Sequence, residues 1–368
     1  MIMKRKCNET IKAVILIITV VYCAIMSGSV AEAVSAAVAR CIFTLVPALY
    51  AMMILSSLLV HSGTAAFIGK LMDKLSRIIF GMSGEEFTAF AAGTFTGYLS
   101  GVKMLCSMND EGRIDRVRGG LLCGVCFGAG PAFISCCIVS RLFGSTAVSN
   151  LILFSTVASD IVLALIVSPF LRRKKAPQGS VSSLKFNSEM LMDCTVRAGV
   201  SMAEVCFITA AFAIITHIIT VCGVSGIIGR LLKLAVPYSS ASANELVQPL
   251  FDITAVSLLP VGDYTLLPLI CGYVSFGGVC VLAQLSVVCR GRFSVLPAVI
   301  MRIAAGVMSY MICSIALPFF LRNETVSTAA MNIRTHHEVS PVPSVMLIIM
   351  TFMLLCYCSG MITKKGRR

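Results

Sequence analysis

Apolar runs long enough to cross a membrane recur along the whole chain, and no other feature limits its fold as strongly. Ala13 to Val30 contains no charged residue, and Ala147 to Leu171 contains one, Asp160. Crossing the hydrocarbon core takes about 20 apolar residues in a helix, so these runs belong in lipid. Further candidates are Ile42 to Val60, Phe87 to Ser107, Gly119 to Leu142, Gly199 to Cys222, Tyr264 to Val288, Ser294 to Phe320 and Pro343 to Ile362. Lipid leaves backbone polar groups no outside partner, which favours helices. We therefore expect an all-α, polytopic integral membrane protein of about eight spans. Composition agrees, since only 13% of residues are charged against about 25% in soluble domains. A soluble enzyme is excluded.

The formal charge of +13 would suit nucleic acid, but its placement argues for topology instead. Lys4, Arg5 and Lys6 precede the first run, Arg172 to Lys175 follow a middle one, and Lys364, Lys365, Arg367 and Arg368 close the chain. This positive-inside pattern puts both termini and the central linker in the cytoplasm, with lipid and not nucleic acid as partner. The chain divides into an N-terminal membrane anchor (1–41), a first membrane half (42–171), a polar cytoplasmic linker (172–198), a second half (199–320), and a loop with a C-terminal helix (321–368). The charge rule fits the first half only if Phe87 to Ser107 is re-entrant. Re-entrant or broken helices survive at membrane depth only where protein or water covers the backbone, so that segment marks a candidate site.

Gly93, Gly97 and Gly101 would form a small-residue packing stripe on one helix. Thr96, Ser100, Lys103 and Ser107 would form a polar stripe on its other side. A lysine at membrane depth costs about 3 kcal/mol or more unless it meets a partner or water; Lys103 either snorkels from a helix end or pairs inside, Asp160 being the candidate partner. Gly130 with Pro131, and Gly277 with Gly278, are expected helix breaks. Phe95 to Lys103 and Phe276 to Gln284 share a Phe-x-Gly pattern, as a duplicated gate element would. Glu204 and Arg302 lie deep in apolar runs, so internal pairing is open to them, whereas Asp252 and Asp263 are expected at the interface. His217 stands alone and reads as structural. Lys103, Ser100, Asp160, Glu204 and Gln284 are thus the substrate-path candidates. Cys123 and Cys126 have CxxC spacing without the second pair of a zinc site, and the 17 cysteines read as reduced core residues. No catalytic residue, metal or cofactor is expected.

The run Phe95-Thr96-Gly97-Tyr98-Leu99-Ser100-Gly101-Val102-Lys103, then Gly130-Pro131-Ala132-Phe133-Ile134, and Ser275-Phe276-Gly277-Gly278 with Gln284, together resemble the sporulation integral membrane protein YlbJ family. That family carries a nucleoside-recognition, or Gate, domain. The family pattern has proline where Leu99 stands, and polar residues where this chain has Cys126 to Ala129. The resemblance implies two Gate-like halves in a bacterial cell membrane, that of the forespore or mother cell, with a role in sporulation and movement of a small solute. A secondary transporter of a nucleoside or other small polar solute, and a non-transporting scaffold for other sporulation membrane proteins, are the alternatives.

Overall fold

A computed structural model describes residues 2–172 and 187–331, and all regular structure among them is helical. The expected span from Pro343 to Ile362, and most of the central linker, lie outside the described residues. Helix α1 (Ile2–Ile25) bends at Met26 into α2 (Ser27–Arg40), which continues through a π-helical turn (Cys41–Leu45) into α3 (Val46–His61). Two separate runs were expected here, divided between Val30 and Ile42. The first falls mostly on α1, whose apolar part Leu16–Ile25 is short, and the second lies within the longer candidate span Ser27–His61, in which the widened π turn accommodates Pro47. The other candidate spans are α10 (Thr146–Arg172), α11 (Ser188–Val221), Tyr264–Val288 and Leu296–Phe320, giving five among the described residues.

Left-handed Gly63 (φ 78°) and Gly81 (φ 67°) delimit α4 (Thr64–Phe80). Its Phe67, Leu71, Leu75 and Ile78 are exposed and follow helical spacing, while Lys70, Lys74 and Arg77 lie between them, as in a helix lying at the lipid interface. The other side packs so closely on the next helix that a Cβ added at Gly84 would sit 1.7 Å from the Gly69 carbonyl oxygen. That next helix, α5 (Gly84–Thr96), opens with a capping box from Ser83 and Glu86.

Phe87 to Ser107 is not one helix. Gly97 takes φ 106° and ψ 149°, a conformation glycine reaches at little cost, and α5 turns there into α6 (Tyr98–Asp110). The two helices fold back on each other: a Cβ at Gly101 would lie 2.9 Å from the Gly93 Cα. The expected single glycine stripe is therefore split across two helices whose glycines face one another. Arg113 joins both ends of the hairpin, pairing with Glu85 and, at 2.7 Å, with Glu111. Both ends of the hairpin are thus tied together on one side of the fold.

A broken helical segment follows, where Gly119 to Leu142 was expected as a span and is not among the five helices of spanning length. Helix α7 (Arg116–Val125) ends at an extended stretch around Gly130 (φ 77°), after which Pro131 starts α8 (Pro131–Phe133), a π-helical stretch (Ile134–Val139) and α9 (Ser140–Leu142). In the second half, Gly223 (φ 74°) opens amphipathic α12 (Val224–Ala235), where a Cβ at Gly229 would sit 2.0 Å from the Ala243 carbonyl oxygen. Helix α13 (Ala243–Phe251) begins with a capping box from Ser242 and Glu245, turns at Asp252 into the 3-10 stretch Ile253–Leu258, and returns. Asp263 closes this second hairpin by accepting hydrogen bonds from Ser239 Oγ and Ser240 N, both at 2.9 Å. Next come α14 (Leu267–Phe276) and α15 (Gly278–Val288), separated by Gly277 and followed by α16 (Leu296–Met331). The same local devices therefore occur in the same order in both halves.

Helix α10 shows how the hairpins enter. The first is clamped at its C-terminal end, where buried Arg118 donates to the Leu171 carbonyl (2.7 Å) and to Glu86 Oε2 (2.7 Å). The second sits at the other end, where Gly262 N donates to Leu142 O (2.8 Å). The hairpins enter from opposite faces. Arg77, Arg113, Arg116, Arg118, Arg172 and Arg292 gather at the first face, making it the arginine-rich one.

Candidate functional site

Each hairpin tip packs against a break in a helical segment. Tyr98 N donates to Gly128 O (2.9 Å), and a Cβ at Gly128 would lie 2.7 Å from the Thr94 Cα. At the other tip, a Cβ at Gly278 would lie 3.2 Å from Ile253 N. The glycines expected as breaks at 130, 277 and 278 do break helices, and the absence of side chains there lets each tip reach the exposed backbone.

A cavity of about 80 Å³ lies where the tips meet, bounded by Gly97, Ser100, Gly128, Asp252, Gly277 and Gln284 among others. Its wall is mainly apolar. Gln284 is buried and accepts a hydrogen bond from Tyr98 Oη, linking the first hairpin to α15. The Tyr98 ring stacks on Phe127 at 5.2 Å, so the sealing group at this tip is aromatic.

Two larger cavities flank this one. On the arginine-rich side a cleft of about 640 Å³ holds Lys103, Glu204, Arg197, Asp110 and Arg292, and it shares Met53, Leu99 and Ser100 with the central cavity. Opposite it, a cavity of about 230 Å³ holds Arg40, His217 and Gln248, and shares Asp252 with the centre. The three form a line between the faces of the protein.

Lys103, Ser100 and Glu204 thus fall together in this larger cleft, and Ser100 and Gln284 on the central cavity. Lys103 Nζ donates to Ser201 Oγ, with the Glu204 carboxylate near enough to attract it. Ser100 Oγ donates to Ser56 Oγ at 2.7 Å. Thr96 and Lys103 occupy different helices, so the expected single polar stripe does not form.

Asp160 departs from expectation. It lines none of these cavities and pairs with Arg302, Nη1 to Oδ1 2.9 Å, rather than with Lys103. Both side chains are buried, and Arg302 Nη1 also donates to the carbonyl oxygens of Phe127 (3.4 Å) and Ser275 (3.2 Å). These carbonyls stand at the ends of α7 and α14, where helices leave acceptors unpaired. One guanidinium therefore closes both breaks, with its charge balanced by Asp160. Arg302 and Glu204 do not pair with each other.

Asp252 was expected at an interface and is instead 6% exposed at the second tip, because Asp252 ends α13 and caps the 3-10 stretch through Thr254 N (3.0 Å). Residue spacing alone also missed Arg118 with Glu86; the Ser83-Glu86 capping signature was the visible signal. His217 contacts Ser29 Oγ at 3.2 Å and the Tyr22 ring at 6.2 Å. Cys123 lies buried 3.6 Å from Cys289 Sγ, and no cluster of metal-ligating side chains occurs among the described residues.

Outside the membrane segments, Arg292 holds the Asp110 carboxyl below the usual range by two hydrogen bonds of 2.7 Å. This exposed pair borders the cleft that holds Lys103.

No family model and no solved structure matches the chain. It is similar to the sporulation integral membrane protein YlbJ of Bacillus subtilis (strain 168), at 26% identity over 136 residues. The similarity takes in 35% of this chain and 33% of the relative, so about a third of that protein's length is matched. With five apolar helices of spanning length, the chain is a multi-pass membrane protein, all-helical among its described residues, with a distant sporulation relative.

Proposed function

We propose that the protein is a transporter of the Gate type that carries a small polar solute across the membrane of a spore-forming cell. One observation carries the reading: two hairpins from opposite faces meet at a central cavity that adjoins a cavity on each side. Transporters built from inverted repeats place their sites at such discontinuous helices near mid-depth. The two sets of hairpin, broken crossing and long helix are read here as that repeat. Lys103 and Glu204 would meet the solute in the cleft on the arginine-rich side, which the positive-inside rule would put in the cytoplasm, and Ser100 and Gln284 would guide it through the centre. Asp160 is assigned to holding the core. The central cavity is smaller than the roughly 300 Å³ at which ligand pockets usually begin, so a nucleoside would require the tips to separate.

Uptake into liposomes by purified, folded protein tests the reading. Transport of one solute class, lowered several-fold by Lys103→Ala and Gln284→Ala, is expected. Absence of uptake for nucleosides, amino acids and organic acids alike would refute it and leave the scaffold alternative. The sporulation role fails if deletion in the host leaves the yield of heat-resistant spores unchanged.

A further inference from the structure

The cavity opposite the arginine-rich side contains an unusual pair. Arg40 Nη2 lies 3.7 Å from Asp252 Oδ2, too far for a hydrogen bond. The Arg40 side chain is 19% exposed, yet its guanidinium makes no hydrogen bond among the described residues, and Nε is buried without an acceptor. Arginine carries five N–H donors in a planar fork that suits a carboxylate. Leaving a buried donor unsatisfied costs about 1–3 kcal/mol, and more where it is charged. Arg40 is therefore short of an acceptor that nearby protein groups do not provide.

Asp252 faces Arg40 at ion-pair distance but receives no hydrogen bond from a charged donor. Its oxygens accept from Thr254 N (3.0 Å) and Thr254 Oγ1 (2.6 Å), both neutral donors, and it is the sole charged residue bordering the central cavity. Ala33, Ala36, Ala213 and Ala255 keep the walls short, while Gln248 and Thr216 add polar groups. Arg40 directly precedes the π-helical turn Cys41–Leu45, a feature frequent at functional sites.

We infer that the Arg40–Asp252 cavity binds a small zwitterion, its carboxylate on the Arg40 fork and its ammonium group on Asp252, the chemistry of a short amino acid. A monovalent anion or cation would satisfy one charge and repel the other. Since Asp252 borders the central cavity too, the site stands at the outer end of the proposed path. The inference deepens the transport reading by naming a substrate class, and binding itself can be measured without transport.

Calorimetric titration of the purified full-length protein in detergent tests it, with glycine, alanine, acetate and methylamine as probes. Saturable binding of glycine or alanine is expected, with acetate and methylamine at least tenfold weaker. Arg40→Gln and Asp252→Asn should each weaken glycine and alanine binding at least tenfold. Ala213→Leu, which narrows the cavity without altering either charge, should do the same in a protein that still elutes as a folded species. The inference is overturned if neither zwitterion binds saturably, if acetate or methylamine binds as well, or if Arg40→Gln or Ala213→Leu leaves affinity unchanged. Binding without uptake of these amino acids would support the site and count against their carriage; uptake of another solute without such binding would overturn the site and keep the carrier.

Discussion

Breaking the Asp160–Arg302 pair should destabilise the protein more than any other single change to the substrate-path candidates. At 2.9 Å and an effective dielectric constant near 20, two unit charges attract by about 6 kcal/mol. Desolvation offsets much of that, and removing one partner of a buried pair typically costs about 3–5 kcal/mol because the other charge is stranded. Arginine cannot shed its proton, so Asp160→Asn leaves a permanent cation with no counter-ion. Arg302→Met strands the carboxylate and also strips a donor from Phe127 O and Ser275 O, each worth about 1–3 kcal/mol if buried and unpaired. The double variant Asp160→Leu with Arg302→Met loses those donors but strands no charge. Reversible denaturation of the detergent-purified protein, run as a double-mutant cycle with Asp160→Leu and Arg302→Met as the singles, should give a coupling of about 2 kcal/mol or more. Effects additive within about 0.5 kcal/mol would refute the pairing. A Lys103→Met variant with unchanged stability would further separate that lysine from Asp160.

Other consequences can be measured directly. Gly84→Leu should lower the yield and melting temperature of the folded protein, by about 3 kcal/mol or more, because its Cβ would meet the Gly69 carbonyl; unchanged stability would argue against the α4–α5 contact. In a background lacking the exposed cysteines, Glu111→Cys should react with an impermeant thiol reagent only from the cytoplasmic face and Val261→Cys only from the other, and labelling of both from one face would remove the opposed hairpins. The lowered pKa of Asp110 means that its contact with Arg292 is fully present above the ordinary carboxylate range and fades as pH falls through the lowered value. Protease cleavage at the 290–294 loop should therefore rise on acidification below about pH 4, with Asp110→Asn showing high cleavage at every pH. A flat wild-type profile would contradict this.

Helix content and lipid exposure were legible in the sequence because they depend on local pattern. The Phe67-Leu71-Leu75-Ile78 face, with basic residues between, identifies the interfacial α4 directly, and the Gly130-Pro131 and Gly277-Gly278 pairs identify breaks. The conflict with the charge rule also singled out Phe87 to Ser107, which is broken at Gly97 into two helices. What local pattern does not contain is who meets whom across the fold. Asp160 and Lys103 were both unpaired on a sequence scale, but α10 and α16 pack together, which gives Asp160 to Arg302. Asp252 looked interfacial beside its proline-containing break because nothing local reveals that this break is a hairpin tip folded into the centre. Arg40 fell near a boundary between expected runs, and only the continuous Ser27–His61 helix places it in a cavity.

Arg302 has a mechanical consequence. Its side chain joins the ends of α7 and α14, so these two broken helices and α16 behave as one block, and any relative sliding would first have to expose an arginine to an apolar interior. If the proposed path opens, the movement would then be taken up elsewhere, at the hairpin tips and at the long helices α3 and α11 beside them. In the proposed carrier, the tips would part while the joint made by Arg302 and Asp160 held its place.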